Sequence, residues 1–210
     1  FIDELYSYGL SNSYYKTDIS DYDIYNKALD NKAFYDYITV NQKEAFNYGA
    51  VYFNQINDVH PPLYYMLLHT ICSFTPGRLL KSSGIFLNLI CMYINLFLLY
   101  KLSLKIFEKE ASADHLALAA TAVYAFSCFA VSTVIYIRMY MLLTLLSVAY
   151  ALCHVLLAGS EKKTGLSAVA ALILILGFLT QYYFIIAAFF ISLAYFIYIL
   201  TKKMWKVAAV

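Results

Sequence analysis

The chain is short of charge, of the small and rigid residues that punctuate soluble folds, and of any cysteine pattern. Charged residues make up only 13% of its 210 positions, about half the share of an average soluble domain. There are seven glycines, three prolines and one tryptophan. The four cysteines, Cys72, Cys91, Cys128 and Cys153, stand singly in apolar stretches with no CxxC spacing, so they read as small buried side chains rather than a disulfide framework or a thiolate metal site. A net charge of +2 is too small for a nucleic-acid partner, and no glycine-rich phosphate loop is present.

What the chain has instead is apolar surface, at 62% of residues, with 22 tyrosines and 15 phenylalanines. That composition predicts an all-α membrane protein, a polytopic bundle of helices in the cell membrane. The first residue is Phe1, not Met, and the apolar run resumes as the chain ends, so the sequence reads as a piece of a longer protein.

Residues 1–62 are polar and carry most of the acids, among them Asp3, Glu4, Asp18, Asp21, Asp23, Asp30, Asp36, Glu44 and Asp58. Asp18, Asp21 and Asp23 read as a turn with capping carboxylates. Between Asp30 and Asn57, Phe34, Tyr37, Ile38, Phe46, Val51 and Tyr52 recur at roughly helical intervals, which predicts an amphipathic helix on the membrane surface. The apolar run from Leu63 to Phe74 is too short to cross a ~30 Å hydrocarbon core and is expected to be re-entrant or interfacial. Residues 1–83 then form an extracytoplasmic first loop, and residues 84–210 the membrane part. Spans are expected at 84–104, 115–133, 138–158, 165–180 and 183–200.

Lysine sets the orientation. Lys101, Lys105 and Lys109, then Lys162 and Lys163, then Lys202, Lys203 and Lys206 follow alternate spans, whereas the intervening loops hold only Arg138. The positive-inside rule puts the lysine loops in the cytoplasm and Arg138 outside. The alternative carries the first apolar run through Leu80 as a span and turns the acidic region inward; Arg78 and Lys81 are its support.

On the outer side three features meet: Asp3 and Glu4, the run DVHPP containing Asp58 and His60, and Arg138 in YIRMYMLLTLL. The paired prolines fix φ near −65° and are tolerated where a helix begins, so a helix should start at that run. A carboxylate and an imidazole where water meets hydrocarbon suit a reaction between a lipid-borne and a water-borne substrate. A guanidinium grips phosphate oxygens in bidentate fashion, and a loop carboxylate can deprotonate an acceptor hydroxyl while a phosphate leaves. Asp3, Glu4, Asp58 and His60 could alternatively share a divalent ion, Mg, Mn or Zn, although the chemistry does not require one. Tyr64, Tyr65, Tyr182 and Tyr183 lie where a sugar ring could stack. Each feature also has a plain reading: Arg138 as a snorkelling anchor, the acids as solvated loop carboxylates, and Asp58 as a helix cap.

The runs DELYSYG, DVHPPLYYMLLH, YIRMYMLLTLL and LGFLTQYYF, in that order, together resemble the C-type glycosyltransferase superfamily. The resemblance is to its bacterial branch, near the protein O-mannosyltransferases and the aminoarabinose transferase of lipid A. It implies transfer of a sugar from a polyprenyl-phosphate donor to a protein, lipid or cell-wall glycan acceptor on the extracytoplasmic side, with inversion. Asp3 would be the base, with Glu4 completing the pair. Asp58, His60 and Tyr64 would line the cavity with Gln181 and Tyr182, and Arg138 would sit near the lipid phosphate. Relatives often carry an acid at the position of Tyr136 and a histidine at that of Gln181, so no metal or acceptor contact is implied through those two positions. The rival class is a transporter or flippase that passes an anionic lipid without chemistry, for which ionisable groups near mid-membrane are expected; here the spans are almost free of them. A non-catalytic scaffold is a third.

Overall fold

A computed structural model describes residues 2–18, 31–159 and 164–202. Its helices are α1 (Ile2–Asn12), α2 (Asn31–Ile38), α3 (Tyr48–Ile56), α4 (Leu63–Cys72), α5 (Lys81–Ile106), α6 (Ala113–Ala125), α7 (Cys128–Ile135), α8 (Tyr140–Gly159), α9 (Thr164–Thr180) and α10 (Phe184–Thr201). No strand occurs among the described residues. The turn expected at Asp21 and Asp23 lies outside them; Asp18 is described but belongs to no helix.

Three helices, α5, α8 and α10, are long and apolar enough to cross a membrane, and α6 with α7 makes a fourth candidate bent by 53°. The remaining expected span, α9, is a shorter apolar helix of 17 residues. The bend corrects the continuous span expected at 115–133. Its cause is local: the Ser127 hydroxyl accepts the Ala130 N–H at 3.1 Å and donates to the Tyr124 carbonyl at 2.7 Å, so one side chain starts α7 and ends α6.

The helix expected from Asp30 to Asn57 is likewise broken, into α2, a 3-10 turn at Gln42–Glu44, and α3. Asn41 accepts the Lys43 N–H and Asn47 accepts the Ala50 N–H, and Phe46 sits at φ +61°. Two caps and a left-handed residue interrupt the apolar rhythm.

The chain divides into two compact units, Phe1–Cys91 with Ser132–Met141, and Met92–Val131 with Leu142–Val210. In the first, α4 packs against α1 and α3, and α1 against α2. Tyr64, Tyr65, Leu68, His69 and Cys72 are all buried, so α4 is the core helix of this unit. It begins directly after Pro62, as the proline pair predicts.

Close approach explains two glycines. A Cβ on Gly9 would stand 2.1 Å from the Tyr37 ring, and one on Gly84 would stand 2.4 Å from Ile137 Cγ2. Gly84 therefore lets the 136–138 segment lie against the start of α5. Asn88, one turn further on and fully buried, donates to the carbonyls of Thr133, Val134 and Tyr136 at 3.1–3.3 Å and accepts from the Tyr64 hydroxyl at 3.3 Å. The last carbonyls of a helix lack partners of their own, and this amide supplies them for α7.

In the second unit the polar side chains also pair internally. Asn95 donates to Tyr124 at 3.0 Å, Tyr150 and Ser192 share a 3.0 Å bond, and His154 packs between the Tyr150 and Tyr195 rings. Many large apolar side chains face outward, Val123, Phe126, Ile185 and Phe190 among them, which suits hydrocarbon surroundings. Cys72, Cys91 and Cys153 are buried as expected, but Cys128 at the start of α7 is exposed.

Candidate functional site

Three separate stretches of the first unit build the site: the first turn of α1, the loop between α3 and α4 with the first turn of α4 that follows it, and the segment between α7 and α8. Asp3 and Glu4 fall in the first turn of α1, where the helix dipole favours carboxylates. Being consecutive in a helix, they point in different directions, and their surroundings differ accordingly.

Asp3 Oδ2 accepts a hydrogen bond from the Tyr136 hydroxyl. That bond is the largest cause of the Tyr136 phenol being pushed up to about 12, followed by burial and the Asp3 charge, with Arg138 pulling the other way. Glu4 is buried; its Oε1 accepts the Ile137 N–H at 3.4 Å and its Oε2 meets Lys81 Nζ at 3.3 Å. Glu4 and Lys81 also line a cavity of about 370 Å³ walled by Ile2, Leu5, Leu79 and Ile137.

In the DVHPP loop, His60 Nδ1 and Asp58 Oδ2 lie 2.8 Å apart. Burial raises the Asp58 carboxyl, but hydrogen bonds from His60 and the Val59 N–H outweigh it and hold the group below its ordinary value. The His60 ring lies 6.2 Å from that of Tyr65. Tyr65 is fully buried, its hydroxyl has no hydrogen-bond partner, and the Arg138 Nε is buried and equally without one. Burial pushes the Tyr65 phenol well above its ordinary range; Arg138 lowers it, while Asp58, Tyr140 and Asp3 raise it. One buried hydroxyl thus feels the loop carboxylate, the α1 carboxylate and the guanidinium together.

The sequence-derived residues divide as follows. The His60 ring lies beside Tyr65, and the charges of Arg138, Asp58 and Asp3 all bear on the Tyr65 hydroxyl. Tyr64 turns the other way, to Asn88, so its neighbour Tyr65 supplies the aromatic wall. Gln181 and Tyr182 belong to the second unit, in the turn between α9 and α10, where Gln181 Oε1 accepts the Tyr182 N–H at 3.1 Å. Tyr136 and Lys81 are the partners that sequence reasoning did not assign to the site. The signals for them were their places, two residues before Arg138 and at the first position of α5.

The shared metal site considered for Asp3, Glu4, Asp58 and His60 does not form: among the described residues no group of three or more His, Cys, Asp or Glu side chains is placed to hold an ion. The carboxylates are engaged instead by Tyr136, by Lys81 with the Ile137 N–H, and by His60. No family model, curated protein or solved structure matches the chain.

Proposed function

We propose that the protein is a polytopic membrane glycosyltransferase of the C-type kind. It moves a sugar from a polyprenyl-phosphate donor to an acceptor hydroxyl, with the site of the first unit on the extracytoplasmic face of the cell membrane. The observation that carries this reading is that three separate stretches of chain supply a carboxylate at Asp3, a hydrogen-bonded acid and imidazole at Asp58 and His60, and two buried donors without partners at Tyr65 and Arg138, all bearing on one buried hydroxyl. Buried donors without partners are costly, and an anionic oxygen would satisfy both.

In the reaction the acceptor oxygen attacks the anomeric carbon while its proton passes to Asp3. The bond from that carbon to the phosphate oxygen breaks with its electron pair on the phosphate, opposite the attacking oxygen, giving inversion. Arg138 and the Tyr65 hydroxyl stabilise the charge gathering on the leaving phosphate. Asp58 fixes the His60 ring, which lines the acceptor side. Glu4, with both oxygens committed to Lys81 and the Ile137 N–H, holds the base-bearing helix in place and takes no proton.

Membranes carrying the full-length protein, supplied with labelled polyprenyl-phosphate sugars and candidate acceptors, test the reading. Removing a general base should cost on the order of 10²–10⁴-fold in rate, so Asp3→Asn should express and bind donor yet transfer almost nothing. Transfer at the unsubstituted rate would remove Asp3 as the base.

A further inference from the structure

We infer that Tyr136 is a positioning residue for Asp3: its hydroxyl clamps one carboxylate oxygen and leaves the other to face the reacting hydroxyl. The inference rests on the reading of Asp3 as base but goes beyond it, because it assigns work to a residue outside the acids, the histidine and the arginine.

Asp3 is half-buried in the first turn of α1, its short side chain has several rotamers open to it, and a base must be held within hydrogen-bond reach of its proton in one orientation. The Tyr136 hydroxyl donates to Asp3 Oδ2 across 133 positions of sequence. The phenol is itself fixed on both sides of its bond. Its ring stacks on that of Tyr140, with centroids 6.2 Å apart and planes 14° from parallel. Its backbone carbonyl accepts from Asn88 at 3.1 Å and from the Arg138 N–H at 2.8 Å.

The next residue makes a parallel tie, since the Ile137 N–H donates to Glu4. Residues 136 and 137 therefore grip residues 3 and 4 pairwise, and Arg138 follows at once. The same short segment sets the base and presents the guanidinium, so the distance between proton acceptor and leaving-group cation is fixed by two intervening peptide units rather than by the flexible loops around them. A tyrosine can do this as a neutral donor. An acid at the same position would face Asp3 with like charge and could not hold it without a further cation.

The test has a chemical arm and a kinetic arm, both on the full-length protein in membranes. Tetranitromethane modifies tyrosine as the phenolate, and Tyr136 is read by peptide mapping with Tyr140 as internal reference. A clamped phenol should nitrate several-fold more slowly in the unsubstituted protein than in Asp3→Asn. Tyr136→Phe, which keeps the ring and its stacking, should lower kcat for sugar transfer about tenfold or more with KM for the donor unchanged. Tyr136→Gln, which restores an N–H donor, should recover part of the loss. If Tyr136→Phe does not fold, Tyr136→Met against Tyr136→Gln makes the same comparison.

Equal nitration in the two proteins would overturn the clamp, as would Tyr136→Phe transferring at the full rate. Slower nitration in an unsubstituted protein that transfers no sugar at all would leave the clamp standing and sink the glycosyltransferase reading instead.

Discussion

Adjacent acids in one helical turn carry different duties here, and their partners decide which. Glu4 is enclosed, with one oxygen on a buried backbone N–H and the other on Lys81; Asp3 faces Tyr136 and the charge of Arg138. Glu4→Ala should therefore cost stability, about 1–3 kcal/mol for the buried N–H left without an acceptor, while Glu4→Gln keeps transfer within about tenfold of the unsubstituted rate, well short of the loss of a general base. If Glu4→Gln silenced the enzyme as fully as Asp3→Asn, the division of labour would be wrong. His69 offers a second test at this scale. It is 2% exposed, and neither ring nitrogen reaches a partner with hydrogen-bond geometry, although the backbone of Ser11 and Glu44 lies close by. Burial holds its imidazole below the ordinary value of 6.5. The unfolded chain then binds a proton that the fold refuses, so stability should be full above pH 6.5 and decline as the pH falls below it. Thermal unfolding between pH 7 and 5 should show that slope, and His69→Leu should flatten it.

At the scale of elements, the contact between the start of α5 and the 136–138 segment sets the whole site. Gly84 has no room for a methyl group beside Ile137. Gly84→Ala should destabilise the protein by roughly 1–3 kcal/mol through overpacking, and Ile137→Ala in the same chain, which removes the γ carbons it would strike, should cost less there than alone, a non-additivity expected of touching residues. Thermal midpoints of the two single variants and the double variant measure it; strict additivity would mean the contact is slack. The helices themselves were readable to different degrees. α5, α8 and α10 announced themselves through long apolar runs. The breaks did not, because hydrophobic rhythm continues across them; what ends α6 and divides α2 from α3 is side-chain capping by Ser127, Asn41 and Asn47. Polar caps inside apolar stretches are visible in sequence, but periodicity outvoted them. The packing of α4 was not legible for a related reason: an apolar helix of ten residues suits a lipid surface or a protein core equally, and only its packing partners choose.

For the molecule as a whole, Asp3, Asp58, His60 and Arg138 stood out by their order and polarity along the chain, and all four fall in the first unit. Which of Tyr64 and Tyr65 turns toward His60 and which toward Asn88 could not be read without knowing what α4 packs against. Tyr136 was seen only as a missing acid, since a bond spanning 133 positions leaves no local trace. The site chemistry separates an enzyme from a lipid carrier most sharply, because a transferase consumes its donor whereas a flippase returns it unchanged on the other leaflet. The decisive measurement follows the carrier itself in sealed vesicles bearing the full-length protein, loaded with polyprenyl-phosphate sugar labelled in the isoprenoid chain. Acceptor-dependent appearance of free polyprenyl phosphate, lost in Asp3→Asn, is the predicted result; donor that crosses the bilayer intact, at a rate indifferent to Asp3→Asn, would contradict the account.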